Sequence, residues 1–301
     1  MNTAVLGRLQ HVLFKLRKPD WFLMYALSRF STMRKLITRL YGSTQSNKTN
    51  NSLFFGIEDR DSLFSDLQVN TVVNGIKKDG YYPGITLPSA TVQEIFQFLE
   101  TIDYYPDHDG PAYIPPQTEA NNDSTSPQYN KLYSRGRYPE TFLDCPAIQR
   151  IIHDPKLLKI AQGYLGVRPI HNGSRLWWSY ANVPPYDIDH AGQRFHYDVD
   201  DFGALRFFFY LTKVDSACGP HMIVRGTHDH KRLTDKITLS RFRSDEDLIN
   251  HYGQDSLVSL EGEAGFGFAE EPQVFHKGAQ PTSGDRLILL IRYVMREWVT
   301  G

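Results

Sequence analysis

Two adjoining stretches, Gln193-Arg194-Phe195-His196-Tyr197-Asp198 and Ala204-Leu205-Arg206-Phe207-Phe208-Phe209-Tyr210-Leu211, decide how the rest of the chain is read. The second is dense in aromatic residues and reads as a core strand. On an extended chain residues i and i+2 point to the same face, so His196 and Asp198 can face one ion. An H-x-D tripeptide alone is common by chance, and on a surface strand it is two ordinary polar side chains. The segments around it give it weight.

Downstream, Cys218-Gly219-Pro220 is a turn signal. The apolar Met222-Ile223-Val224 follows, then Arg225-Gly226-Thr227-His228. Phe275-His276-Lys277-Gly278 leads through Ser283-Gly284-Asp285, which reads as a hairpin turn, into the apolar Arg286-Leu287-Ile288-Leu289-Leu290-Ile291. With His276 brought in from its own strand, two imidazoles and one carboxylate would lie on one side of a metal. That set is typical of non-haem Fe(II) oxygenases, because it leaves coordination positions open for chemistry. A closed four-ligand set would read as structural zinc.

The order of these motifs resembles the phytanoyl-CoA dioxygenase family of 2-oxoglutarate-dependent oxygenases. That family carries H-x-D, a middle segment like N-G-P-L-x-x-x-P-G-S-H, a distal His and then an Arg. Here the middle segment runs from Cys218 to His228, with Arg225 where the family usually has Pro. Upstream, the segment from Ile151 to Gly166 is similar to the helix before the barrel, and Asn74 to Gly80 to the opening segment, so the likeness covers roughly residues 70 to 298.

The resemblance implies a mainly β protein with flanking helices (α+β). Its core would be a double-stranded β-helix, a cupin-like jelly roll, with most strands in residues 168–298. It implies Fe(II) on His196, Asp198 and His276, with 2-oxoglutarate and O2 as cosubstrates. The far carboxylate of 2-oxoglutarate needs a cation, and an Arg suits it because its planar fork holds both oxygens. Arg286 is the expected anchor, with Arg206 and Arg292 as competitors. The implied reaction couples oxidative decarboxylation of 2-oxoglutarate, to succinate and CO2, with hydroxylation of a C–H bond. The substrate would be a small molecule, or one linked to a lipid or glycan. Desaturation, epoxidation and ring formation draw on the same chemistry. Related halogenases lack the carboxylate that Asp198 supplies. Two other classes compete: a catalytically silent barrel used for binding, and a zinc hydrolase with the same ligands, in which Arg286 has no role.

Other polar residues carry paired readings. Asn182 and Tyr210 fall on strands expected to flank the metal and can hydrogen-bond the cosubstrate, and Tyr210 can equally pack in the core. His221 is either a pocket-lining group or a hydrogen-bonded structural one. Asp200 is either a solvated loop carboxylate or a substrate contact, and Asp201 reads as solvated. Alternation sends one ring of the pair Trp177 and Trp178 inward, where Trp177 could meet substrate.

Of the 301 residues 41% are hydrophobic, enough for one sizeable catalytic domain with additions. A net charge of −1 gives no reason to invoke nucleic acid, and the two cysteines suit a reducing, cytoplasmic compartment. The charge is uneven: residues 1–42 hold eight cations against Asp20, a balance of +7, and the remainder carries −8. Leu, Phe and Trp recur there at spacings of three and four, so these residues read as a basic amphipathic helical arm, interrupted at Pro19. No apolar run approaches a membrane span. The arm suits either peripheral contact with the inner face of an anionic membrane or packing on protein. Residues 43–52 read as a polar linker, and 53–301 as the oxygenase domain. The polar stretch 114–128 reads as a cover or a disordered loop.

Overall fold

A computed structural model of the chain describes residues 19–46, 61–106, 135–181, 192–238 and 240–297. Residues 1–18 of the arm, 47–52 of the linker, the stretch 114–128 and Asn182 lie outside the described residues.

From the N-terminal side the elements are α1 (Pro19–Leu27), α2 (Ser31–Ser46), α3 (Val69–Asp79), β1 (Tyr81–Pro83) and α4 (Ser89–Leu99). Next come β2 (Tyr105–Pro106), β3 (Arg135–Arg137), α5 (Pro146–Ile152), α6 (Pro155–Leu165) and β4 (Ile170–His171). The barrel proper follows with β5 (Arg175–Ser179), β6 (Ala204–Tyr210) and β7 (His221–Val224). After α7 (Leu233–Ile237) and α8 (Asp245–Tyr252) it is completed by β8 (Leu257–Leu260), β9 (Gly267–Glu270), β10 (Phe275–Gly278) and β11 (Arg286–Val294).

All strand pairs are antiparallel. The larger sheet runs β1-β9-β6-β11-β5-β3-β2, with β4 also on β11, and the smaller runs β10-β7-β8. His196 joins the free edge of β10 by exchanging two backbone hydrogen bonds with His276, at 3.0 and 2.8 Å. Successive segments therefore alternate between sheets: β5 in the larger, residue 196 in the smaller, β6 in the larger, β7 and β8 in the smaller. β9, β10 and β11 continue the alternation. That winding is the double-stranded β-helix.

The alternation corrects one expectation. Ser283-Gly284-Asp285 is not a hairpin turn, because β10 pairs with β7 while β11 pairs with β5 and β6. The segment crosses from one sheet to the other, so Arg286 approaches His276 from the opposite sheet and not from a neighbouring strand.

β6 is buried along its whole length because each face meets a different core. Leu205, Phe207 and Phe209 join Leu287, Leu289 and Ile291 under the helical layer, where α6 packs on β6. Phe208 and Tyr210 turn inward with Ile223, Phe268 and Ile288, filling the space between the sheets. Each such buried side chain stabilises the fold by roughly 1.5–3 kcal/mol. Trp177 belongs to this inner cluster and Trp178 to the outer one, as alternation requires.

The helix expected over 151–166 is two helices. Pro155 disfavours helical backbone at the residue before it, and the Asp154 carboxylate caps α6 by accepting from the backbone N–H of Lys156 and Leu157. α3 ends at Gly80, whose φ of 83° is left-handed and free of cost only for glycine.

Pro19 opens α1; the part of the arm that precedes it lies outside the described residues. α2 continues to Ser46, into the segment whose composition reads as linker. Ser43 and Thr44 hydroxyls donate to the carbonyls of Leu40 and Tyr41, at 2.8 Å each, and so occupy acceptors of the last turns. The two helices dock on the barrel domain: Met24 is fully buried, and Arg34 donates to the carbonyl of His228 and pairs with Glu271 at 3.3 Å.

Candidate metal centre

His196, Asp198 and His276 come together with one ligand atom from each within 4.8 Å of the others. The register explains it. His196 and His276 sit opposite each other across a bridge, and Asp198, two residues on, keeps to the same side. Nδ1 of His196 stands 2.8 Å from the Arg194 carbonyl and Nδ1 of His276 3.0 Å from that of Val274. A carbonyl only accepts, so each Nδ1 carries the proton and each Nε2 presents its lone pair to the site. The two Nε2 atoms lie 3.9 and 3.6 Å from the same oxygen, Oδ2 of Asp198.

Two guanidinium groups aim that carboxylate. Arg206 Nη1 donates to Oδ2 at 2.8 Å and Arg241 Nη1 donates to Oδ1 at 3.0 Å. Burial alone would raise the Asp198 carboxyl, but Arg206 and the two imidazoles outweigh it and hold it well below the usual range. Burial, reinforced by His276, drops the His196 imidazole to about 4, so it is neutral at ordinary pH. His276 moves the other way: burial opposes its charge, and Glu270 and Asp198 more than offset that.

Glu270 is the largest surprise. It is fully buried on β9, opposite Arg206 in the register. Oε2 lies 2.6 Å from His221 Nε2, and Oε1 lies 3.5 Å from His276 Nδ1 with no hydrogen-bond partner. His221 in turn stacks on the His276 ring at a centroid distance of 5.5 Å. Of its two readings, the hydrogen-bonded role is the one the contacts describe.

The three candidate anchors separate by what they already hold. Arg206 spends its fork on Asp198 and Asp200, and Arg292 pairs with Asp200 at 3.3 Å and donates to Asn172. Arg286 is 5% exposed and has no carboxylate partner among the described residues. It donates to the Gly219 carbonyl and, at 3.3 Å, to Ser179 Oγ, while its Nε is buried without a partner. A Cβ at position 278 would stand 2.8 Å from Arg286 Nη2, so the guanidinium lies against Gly278. Gly278 is two residues past His276 on β10, on the same inner face.

Asp200 is not a freely solvated loop carboxylate: it accepts from Arg206 Nε and Nη2 at 3.0 and 2.7 Å, which ties it into the clamp on Asp198. Asp201 is 2% exposed and accepts from the backbone N–H of Phe202, Met295 and Arg296, correcting the solvated reading. The Tyr210 hydroxyl donates to the Leu260 carbonyl and accepts from the His221 N–H, so its proton is already committed. Trp177 faces inward beneath the Arg135 guanidinium, 5.3 Å from the ring centre.

Sequence reasoning missed Glu270 and Arg241. Glu270 had a signal, since alternation from Phe268 turns it inward within an apolar strand. Arg241 sits in an irregular segment and had none. Asp235 anchors that segment: it is fully buried and accepts from Arg232 Nε at 2.9 Å and Arg243 Nε at 2.6 Å.

The donor set suits a divalent iron: two imidazoles that present Nε2 and one ionised carboxylate. Arg286, with no carboxylate partner among the described residues, suits a carboxylate ligand. No protein-family model matches the sequence, and no curated protein matches it. Solved structures do. SnoK, a non-haem alpha-ketoglutarate-dependent carbocyclase from nogalamycin biosynthesis, aligns with a TM-score of 0.50 at 14% identity, over 77% of this chain and 85% of its own. EctD from S. alaskensis aligns with a TM-score of 0.49 at 17% identity, over 75% of this chain and 76% of its own. AviO1 from Streptomyces viridochromogenes Tue57 aligns with a TM-score of 0.47 at 12% identity, over 76% and 95%. Likeness at such identities concerns fold, and SnoK supports the double-stranded β-helix.

Proposed function

We propose that the chain is an Fe(II)- and 2-oxoglutarate-dependent dioxygenase, of the phytanoyl-CoA dioxygenase kind, that hydroxylates a C–H bond of a small-molecule, lipid-linked or glycan substrate. Succinate and CO2 would be the coproducts. One observation carries the reading: beside the His-Asp-His set, the buried guanidinium of Arg286, with no carboxylate partner among the described residues, reaches across from β11 to lie against Gly278, one pleat past His276 on β10. A buried cation without a counter-charge is costly, and a carboxylate ligand would offset that cost. A zinc hydrolase has no use for Arg286.

His196, Asp198 and His276 would hold the iron, which when bound supplies the activation of O2. Arg286 binds and orients the far carboxylate of 2-oxoglutarate by its fork. Arg206 and Arg241 keep Asp198 ionised and aimed. Phe208, Phe268 and Ile288 supply an apolar interior that excludes water. Desaturation, epoxidation or ring closure would need the same residues, and a silent barrel would not. Peripheral membrane contact through residues 1–42 is the partner this reading includes for a lipid- or glycan-linked substrate.

The test is anaerobic loading with Fe(II) and 2-oxoglutarate, then admission of O2 and assay of succinate. Wild type should release succinate with O2 dependence, and Asp198→Ala, His196→Ala or His276→Ala should bind no Fe(II). Full succinate release by Asp198→Ala, or release without O2, would remove the proposal.

A further inference from the structure

Eight large apolar side chains stand exposed among the described residues, and seven of them lie on α1, α2 and α7. Leu23 is 56% exposed on α1, Leu36 and Leu40 are 50% and 59% exposed on α2, and Leu233 and Ile237 are 64% and 62% exposed on α7. These elements are neighbours. Arg29, at the corner between α1 and α2, donates through Nη1 to the carbonyls of Lys236 and Thr238 at 3.2 and 2.7 Å.

α2 shows how the face is made. At 100° per residue, Met33, Leu36 and Leu40 fall within about 60° of each other on its outer side. Arg34 and Thr38 project the other way and tie the helix to the domain, to His228 and Met295. The outer stripe is thus surplus to docking on the protein.

Its charge is mainly basic, Asp20 on α1 being the one exposed acid among the described residues of these three helices. α2 holds Arg34, Lys35 and Arg39 and no acid. Arg34 pairs with Glu271 and Lys35 with Asp229, but Arg39 is exposed and has no acid partner among the described residues. It lies about 60° around the helix from Leu36. Lys236 lies on α7 between Leu233 and Ile237, and Arg8, Lys15, Arg17 and Lys18 precede α1 in the sequence with no acid among them.

We propose that this face docks on an anionic phospholipid surface. The Leu, Met and Phe side chains would enter the acyl boundary, and Arg39 and Lys236 would meet headgroup phosphates. A second copy of the chain suits the face poorly, because a two-fold contact would set these cations against themselves. No described helix is long and apolar enough to cross a membrane, so the contact is peripheral. The docking face adjoins the metal centre's support: Ile237 is followed within four residues by Arg241, which holds Asp198. The inference deepens the membrane part of the reading above and is independent of the oxygenase chemistry.

The experiment is co-sedimentation of the full chain with vesicles of phosphatidylcholine alone or with added phosphatidylserine, at low and high salt. Binding is expected only to the anionic vesicles, with loss at high salt. Leu36→Asp/Leu40→Asp, and separately Leu233→Asp/Ile237→Asp, should weaken it at least about tenfold. Arg39→Glu should weaken it too. Tyr105→Asp, an exposed apolar side chain outside this face, should leave it unchanged. All positions substituted are exposed, and circular dichroism checks the fold of each variant. Equal binding to neutral vesicles overturns the proposal, as does binding to neither. So does a dimer in sedimentation velocity that the Asp substitutions dissociate. Succinate release without vesicles reports the chemistry separately.

Discussion

The carboxylate of Glu270 receives a 2.6 Å hydrogen bond from Nε2 of His221, deep behind the metal-binding face. Burial on its own would push the Glu270 carboxyl up, yet His276, His221 and Arg206 hold it below its ordinary range. An ionised acid is thus fixed beside the non-ligating edge of His276. Such partners set the tautomer and orientation of a metal-binding imidazole and raise its basicity.

Glu270→Gln keeps the shape and removes the charge. Metal affinity should fall by about 10–100-fold, the usual cost of losing an outer partner of a ligand. Titration with Co(II), followed by its ligand-field absorption, reads this directly. Unaltered affinity and spectrum would leave Glu270 with a packing role only.

Arg286 and Arg206 should fail differently. Arg286→Ala leaves the Asp198 clamp intact, so metal binding should persist while 2-oxoglutarate binding weakens by about 3–5 kcal/mol, the scale for removing one partner of a buried pair. Arg206→Ala frees Asp198 and Asp200 and should weaken metal binding first. Parallel metal and 2-oxoglutarate titrations separate the two. If Arg286→Ala leaves 2-oxoglutarate affinity unchanged, the anchor lies elsewhere.

Gly278 is tested by the side chain it lacks. Its Cβ would approach Arg286 Nη2 to 2.8 Å, so Gly278→Val must displace the guanidinium. The expected result is a raised 2-oxoglutarate requirement, about tenfold or more, with metal affinity retained. Retained 2-oxoglutarate affinity would show that the guanidinium can shift without loss of function.

Asp235 gives a pH dependence. Burial raises its carboxyl, but hydrogen bonds from Arg232 and Arg243 more than offset this and the folded-state pKa is lowered. A depressed carboxyl contributes stability that is complete above the unfolded value of about 3.9 and is lost as pH falls through the folded one. Asp235→Asn should therefore cost about 3 kcal/mol near neutral pH, the scale for breaking a buried pair. The gap from wild type should close in acid, as read from urea midpoints across pH. A gap independent of pH would mean that the charge contributes nothing.

Much of the centre was legible because its first rule is local. Strand period alone puts His196 with Asp198, Trp177 opposite Trp178, and Arg286 with Ile288. The aromatic run in β6 announced a core strand, whereas the helix start at Asp154-Pro155, though present in the sequence, went unread. The exposed stripe on α2 likewise follows from spacing.

What only the tertiary structure decided are contacts across sheets. Whether 283–285 turns back or crosses over depends on which strand has a free edge, and β10 gives its edges to β7 and to His196. Which arginine remains unpaired depends on where Asp198 and Asp200 reach, and they reach Arg206, Arg241 and Arg292. Glu270 became part of the centre only when β9 was laid beside β6 and set against β7 and β10. Short-range periodicity fixes the direction of a side chain, while its partner is chosen by the long-range packing that pairs distant strands.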